Sequence, residues 1–279
     1  MKVILSRKGF DSGYGGYPSL ILPDCKLISL PIPSKDSTRY SDLKLNKQQT
    51  YFDLMKEIKP AIKYNKQWHE LTKDTECHLD PDIYTSVLER SKEWKACFGQ
   101  VGGSQTHLMN QNVKEGDLFL FFGWFKQTRL KDKKLCFDKL AHDLHVIFGY
   151  FQIGEIIHTN QQTQISKWLK SHPHMLEKYN NKKQNTIYIA RNTLTWNDKL
   201  PGAGTFKFNQ DLVLTKKGFS RSRWKLSDFF ENVNISHHSK KSWKHEGYFQ
   251  SAGIGQEFVI EDNVLIENWA KNLIKNNTV

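Results

Sequence analysis

Five short segments hold the side chains that could do chemistry. SRKGFDSGYGG sets Arg7, Lys8, Asp11 and Ser12 among glycines that let the backbone approach a ligand closely. Its spacing is neither a Walker loop nor a dinucleotide turn. It reads either as a tight turn with a charged rim or as a cradle where backbone N–H groups and Arg7 or Lys8 hold a phosphate or sugar. CHLDPD brings His78, Asp80 and Asp82 together, which suits a carboxylate-tuned acid/base histidine or part of a metal site. The same residues suit a helix start, with Asp80 as cap and Pro81 in the first turn, and that reading is preferred. GGSQTHL contributes Gln105, Thr106 and His107 in a polar turn. In GFSRSRW, Arg221 can fork onto a phosphate with Ser220 and Ser222 beside it. In GQEFVI, Gln256 and Glu257 stand at the mouth of an apolar strand. Glu257 is the preferred catalytic carboxylate. Burial would raise its pKa and fit it as a general base, whereas a salt bridge to Arg221 or Arg7 would lower it.

Histidines outside these segments invite a metal reading. His172 and His174 flank Pro173 in KSHPHM, and alternate residues of an extended segment point the same way. No cysteine close in sequence completes a familiar ligand spacing, so these histidines, like His237 and His238, are expected at the surface or in hydrogen bonds. No metal site is assigned and any cofactor is left unknown.

The elements that must position these residues begin with a strand over Val3 to Ser6, a glycine-rich loop, and two short strands closed by prolines. Helical spacing of Tyr51, Leu54, Met55, Ile58 and Ile62 predicts a helix that Pro60 starts or breaks. A second helix is predicted over Ile83 to Trp94, a third at QISKWLKSHP, and a last one at DNVLIENWAKNLIKNN with Asp262 as its cap. Between them lie strands in WKACFGQVG, GDLFLFFGWF, LHVIFGYFQIGEIIH, NTIYIARNTLT and DLVLTKKG. GDLFLFFGWF is expected to bury Leu118, Leu120 and Phe122 and to bring Trp124, half exposed, to a rim beside His107.

With 279 residues and 38% of them hydrophobic, the chain supports a substantial core, and no repeat or linker divides it. One domain over residues 1–279 is expected. The net charge of +12 favours polyanionic partners, although lysines spread over the sequence also suit a solvated surface. No apolar run of about 18 residues and no secretory leader is seen, so the expected location is cytoplasmic, away from membranes. Cys25, Cys77, Cys97 and Cys136 lie far apart and are read as reduced thiols.

The order WKACFGQV, SQTHL, VKEGDLFLFF, HVIFGYFQIGEI over residues 94–158 resembles the EVE and ASCH members of the PUA-like superfamily. That resemblance implies an α+β fold with a small β-barrel core, helical insertions and N- and C-terminal extensions. It also implies a pocket that reads a nucleobase, in which Gln105 and Thr106 would bond a base edge, His107 would move a proton and Trp124 would stack. Over nearly the whole chain, SRKGFDSGYGGYPS, SLPIP, CHLDPD, THLMNQNVKEGDLFLFFGWF, HPH, LVLTKKGFSRSRW and GQEFVI together resemble the nucleotide modification associated domain 3 family. That family keeps company with DNA base hypermodification systems of phages and bacteria. The resemblance implies binding of a nucleobase or nucleotide, DNA or nucleotides as partners, and other proteins of a modification or restriction system alongside. It leaves open whether the protein modifies the base, only reads modified DNA, or acts as an N-glycosidase or nucleotide hydrolase.

Overall fold

The computed structural model describes residues 1–161, 165–253 and 255–278. Its centre is an antiparallel pair of long strands, β5 (Leu118–Lys131) and β7 (Leu144–His158). Leu118 through Phe122 are all fully buried. The aromatic run therefore packs on both faces, which a strand with polar residues on alternate positions could not do. On one side of this pair lie β1 (Val3–Arg7), parallel to β5, and then β10 (Glu257–Ile260), antiparallel to β1. On the other side β7 pairs with β8 (Thr186–Ala190), and β8 with β4 (Cys97–Gln100), both antiparallel. Short strands β2 (Ser19–Ile21), β3 (Leu27–Ile28), β6 (Lys134–Phe137) and β9 (Ala203–Thr205) extend the flanks.

The sheet curls into a half-barrel. Gln100 at the end of β4 donates to Glu257 at the start of β10 at 2.6 Å, so side chains join the two terminal strands of the order. On the concave face, the Phe98 ring packs against Phe119, Phe121 and Tyr188 at centroid distances of 5.1 to 5.7 Å. On the convex face, Phe122 lies 5.1 Å from Trp224 and 6.1 Å from Phe258. The edge-to-face and stacked pairs among these add about 0.5–1.5 kcal/mol each beyond area burial. A second core gathers Phe10, Tyr17, Tyr40, Tyr51 and Met55 beneath the glycine-rich loop. The strands of residues 94–158 do not close by themselves, because β8 stands between β7 and β4 while β1 and β10 continue the sheet beyond β5.

Helices are few, and α+β describes the whole. Helix α1 (Tyr51–Ile58) opens on a Thr50–Asp53 capping box and stops before Pro60, after which the chain makes a hairpin of Ala61–Tyr64 with Gln67–Glu70. Helix α2 (Gly102–Asn110) occupies the segment expected to be a polar turn. After the short α3 (Glu177–Asn180), the last helix α4 (Val264–Asn277) is capped by Asn263 rather than Asp262. No helix forms over Ile83 to Trp94. The Asp82 backbone pairs with Cys97, and its carboxylate takes Arg90 at 2.5 and 2.7 Å and Trp94 Nε1 at 3.3 Å, which folds the segment back on itself. The helix expected at QISKWLKSHP is instead two 3-10 turns, Lys167–Ser171 and Pro173–Met175, and Gln164 lies outside the described residues. DLVLTKKG starts as a 3-10 turn, Gln210–Leu212, rather than a strand. Among the described residues no helix is long and apolar enough to cross a membrane.

Candidate functional site

Strand alternation splits the end of β1 between the two faces of the sheet. Ser6, in register with Glu257, and Lys8 turn to the concave side, and Arg7 to the convex side. Lys8 Nζ meets Glu257 Oε1 at 2.9 Å and lies 4.3 Å from the centre of the Phe98 ring. Gln100 Nε2 donates to the same carboxylate oxygen. Glu257 is 1% exposed, and its second oxygen, Oε2, is buried with no hydrogen-bond partner among the described residues. Its ion pair is thus with Lys8, not with Arg221 or Arg7. The attraction between the two charges offsets their desolvation, while an unmet buried acceptor carries a penalty of about 1–3 kcal/mol that a donor from outside could relieve.

Helix α2 brings Gln105 and His107 toward this region. Gln105, also 1% exposed, accepts the Tyr188 hydroxyl at 2.9 Å. Thr106 points elsewhere, donating to the Gly102 carbonyl at 3.0 Å and bonding Gln184. His107 Nε2 bonds Ser236 Oγ at 2.9 Å, and its ring lies 4.1 Å from that of His237. Burial and the neighbouring His237 lower the His107 pKa against an opposing pull from Glu257, so the imidazole is neutral at pH 7.

The convex side carries an arginine pair. Arg7 packs 5.4 Å from the Phe258 ring centre, and its Nη atoms donate to the carbonyls of Ala252 and Gly253 at 2.5 and 3.1 Å. Arg221 lies 4.1 Å from the Trp124 ring centre. Burial and the nearby charge of Arg221 lower the Arg7 pKa against a smaller opposing pull from Asp11. Arg7 Nε and Trp124 Nε1 are buried without partners. Trp124 is half-buried as expected, but it pairs across the strands with His145, and no ring contact joins it to His107 among the described residues. Asp11 closes the glycine-rich loop by accepting the N–H groups of Gly13 and Tyr14, both at 2.7 Å, and Ser12 is exposed. The Ser222 hydroxyl receives Gln250 at 3.3 Å, and the Gln256 carbonyl receives the Arg7 N–H at 2.8 Å.

A family model described as nucleotide modification associated domain 3 matches residues 2–261. The chain belongs to that family. The match spans every strand of the curled sheet, both sides of the β1 rim and all the candidate residues of the nucleotide modification associated domain. No curated protein and no solved structure matches the chain.

His78 and Asp80 stand away from the rim of this domain. Asp80 is no helix cap. Its Oδ1 accepts the Gly99 N–H at 2.8 Å, and its carboxylate faces His78, His172 and His174 at 3.6 to 4.0 Å. The two clusters lie on opposite faces of β4, with Phe98 and Gln100 toward Lys8 and Glu257, and Gly99 toward the histidines. A Cβ at Gly99 would fall 2.3 Å from the His174 ring. Sequence reasoning singled out Lys8, Glu257 and His78 but passed over Gln100, Asp36, Tyr188 and Asn185. Of these only Gln100 left a trace, as a polar residue two positions after Phe98 on a strand otherwise buried.

Proposed function

We propose that this member of the nucleotide modification associated domain 3 family binds a nucleobase or nucleotide at the mouth of the curled sheet, in the manner the PUA-like resemblance implies. The observation that carries the reading is the buried Glu257 carboxylate, with one oxygen held by Lys8 and Gln100 and the other unpartnered. A nucleobase edge supplies N–H donors that carboxylates accept in base recognition. Lys8 and Gln100 fix the carboxylate so that Oε2 is already oriented, which lowers the ordering cost of binding. Arg7 and Arg221 at the same strand end suit the phosphate, and Trp124 gives Arg221 a flat surface to rest on.

With a base in place, Glu257 is the group suited to take a proton or orient water, and neutral His107 is the acid/base candidate farther along the rim. The protein then acts on the base or nucleotide, whereas a reader would show no turnover and a glycosidase or nucleotide hydrolase would release free base or sugar phosphate. Calorimetric titration with the common nucleosides and nucleotides, and anisotropy with DNAs carrying plain or hydroxymethylated bases, tests it. One base class should bind, and Glu257→Gln should weaken binding at least tenfold with the fold unchanged by circular dichroism. Equal binding by the variant, or salt-sensitive binding to every DNA alike, would remove Glu257 from recognition. Nucleoside mass spectrometry after incubation separates a modified base, a released base and no turnover.

A further inference from the structure

Behind β4 a second cluster has the form of a coordination site. Two hydrogen bonds fix the tautomers. Asn185 Nδ2 donates to the His174 carbonyl at 2.7 Å, so its Oδ1 is the atom that meets His174 Nδ1 at 2.8 Å, and that nitrogen carries the ring proton. His78 Nδ1 meets Asp36 Oδ2 at 2.6 Å and likewise donates. In their neutral form both rings therefore turn an Nε2 lone pair toward Asp80 Oδ2, at 3.9 Å from His78 and 4.0 Å from His174. The three ligand atoms lie within 4.8 Å of one another. Lone pairs converging with no proton between them repel, and a cation at their centre removes the conflict.

His172 plays a different part. Its Nδ1 accepts the His174 N–H at 3.2 Å, so its proton sits on Nε2, which is buried, without a hydrogen bond and 3.6 Å from Asp80 Oδ1. It can steady the carboxylate but has no lone pair to offer a metal. The Gly99 N–H holds the same Oδ1 from the strand side. Lys178 bonds Asp36 from outside, and the Tyr179 ring stacks on His174 at 4.6 Å.

We propose that His78, Asp80 and His174 bind one divalent transition-metal ion as a two-histidine, one-carboxylate face. Asp36 and Asn185 orient the imidazoles, and His172 orients the carboxylate. Imidazole and carboxylate together favour ions such as Zn²⁺, Fe²⁺ or Co²⁺ over Mg²⁺ or Ca²⁺. Ligand bonds of about 2.0–2.2 Å require the three atoms to draw in by some tenths of an ångström on loading. Three protein ligands leave positions for water or substrate, the arrangement of a reactive rather than a purely structural ion. This site rests on its own geometry and stands or falls apart from base binding at Glu257.

The test is anaerobic titration of the chelator-stripped full chain with Co²⁺ and Zn²⁺, read by ligand-field absorption, metal analysis and thermal shift. One equivalent should bind and raise the Tm, with ligand-field bands of a nitrogen and oxygen donor set. Asp36→Asn should weaken affinity by about 10- to 100-fold while the protein stays folded. His174→Ala should abolish stoichiometric binding. Should that variant fail to fold, X-ray absorption of the Zn²⁺-loaded unsubstituted protein decides, with two imidazoles expected in the coordination shell. Less than a tenth of an equivalent bound, sulfur ligation, or full affinity in a folded His174→Ala variant would overturn the proposal.

Discussion

The two faces of β4 hold two buried polar clusters, each unsatisfied in its own way. Toward Phe98 and Gln100 the charges are balanced, since Lys8 answers Glu257, and what is left over is Glu257 Oε2 and the Ser6 hydroxyl. Toward Gly99 the three atoms that converge, His78 Nε2, His174 Nε2 and Asp80 Oδ2, are acceptors, while the donors from Gly99 and His172 face the other Asp80 oxygen. A surplus acceptor beside a neutralised pair suits an organic ligand with N–H groups, whereas a surplus of lone pairs suits a cation. A single strand, by period-two alternation, keeps the two chemistries apart.

The largest effect should come from breaking the balance on the Glu257 side. Glu257→Leu leaves the Lys8 ammonium buried and unpaired, and urea unfolding should show a loss of about 3–5 kcal/mol. Adding Lys8→Met to that variant should recover much of the loss, and failure to do so would mean that the pair is not what the site balances. The opposite face is broken by Gly99→Ala, whose added methyl meets the His174 ring. Overpacking of this kind typically destabilises by about 1–3 kcal/mol, and here Co²⁺ binding should fall while nucleotide affinity is kept. Loss of both functions together would show that β4 couples the clusters instead of separating them.

A buried histidine on the convex side gives a pH handle independent of both. Burial, with Arg7 and Arg221 nearby, holds His145 well below the usual histidine pKa, and its Nδ1 accepts Trp224 Nε1–H at 2.9 Å. Between that depressed value and about 6.5 the unfolded chain binds the proton that the folded chain refuses, so stability falls as pH drops below about 6.5. Thermal melts from pH 7.5 to 5 should show the decline, and His145→Gln should lessen it, the rest coming from His107, His174 and His238, which burial also holds low. The smallest effect belongs to Arg221→Ala. Its stacking on half-buried Trp124 is worth about 0.5–1 kcal/mol, so the Tm should scarcely move. The affinity difference between a nucleotide and its nucleoside should nevertheless shrink if Arg221 meets the phosphate.

What the sequence made legible were local signals. Alternating or continuous apolar runs marked β1, β5, β7, β8 and β10, and helical spacing with Pro60 marked α1, whose Thr50–Asp53 capping box appears only in the structure. Lys8 and Glu257 could be named as candidates, but not as partners, because register across β1 and β10 brings together residues 249 positions apart. The His78 cluster stayed hidden for the same reason. Asp80-Pro81-Asp82 looks like a helix start, and only tertiary hydrogen bonds from Gly99, Arg90 and Trp94 turn those carboxylates to other work. GGSQTHL misled differently. Two glycines suggested a turn, yet burial of Gln105 and Leu108 holds the segment as a helix.

The sheet's strand order also governs how the protein comes into being. β4 finds its neighbour β8 only when residues 186–190 emerge, and Lys8 finds Glu257 only 249 positions later than it is made. The second pairing carries the loop-closure entropy of the 249 positions that separate the two residues. The nascent polypeptide therefore holds β4 as an open edge until residues 186–190 emerge, and the outer edge of β1 until residues 257–260 do. Each open edge is, until then, a template on which another chain could pair.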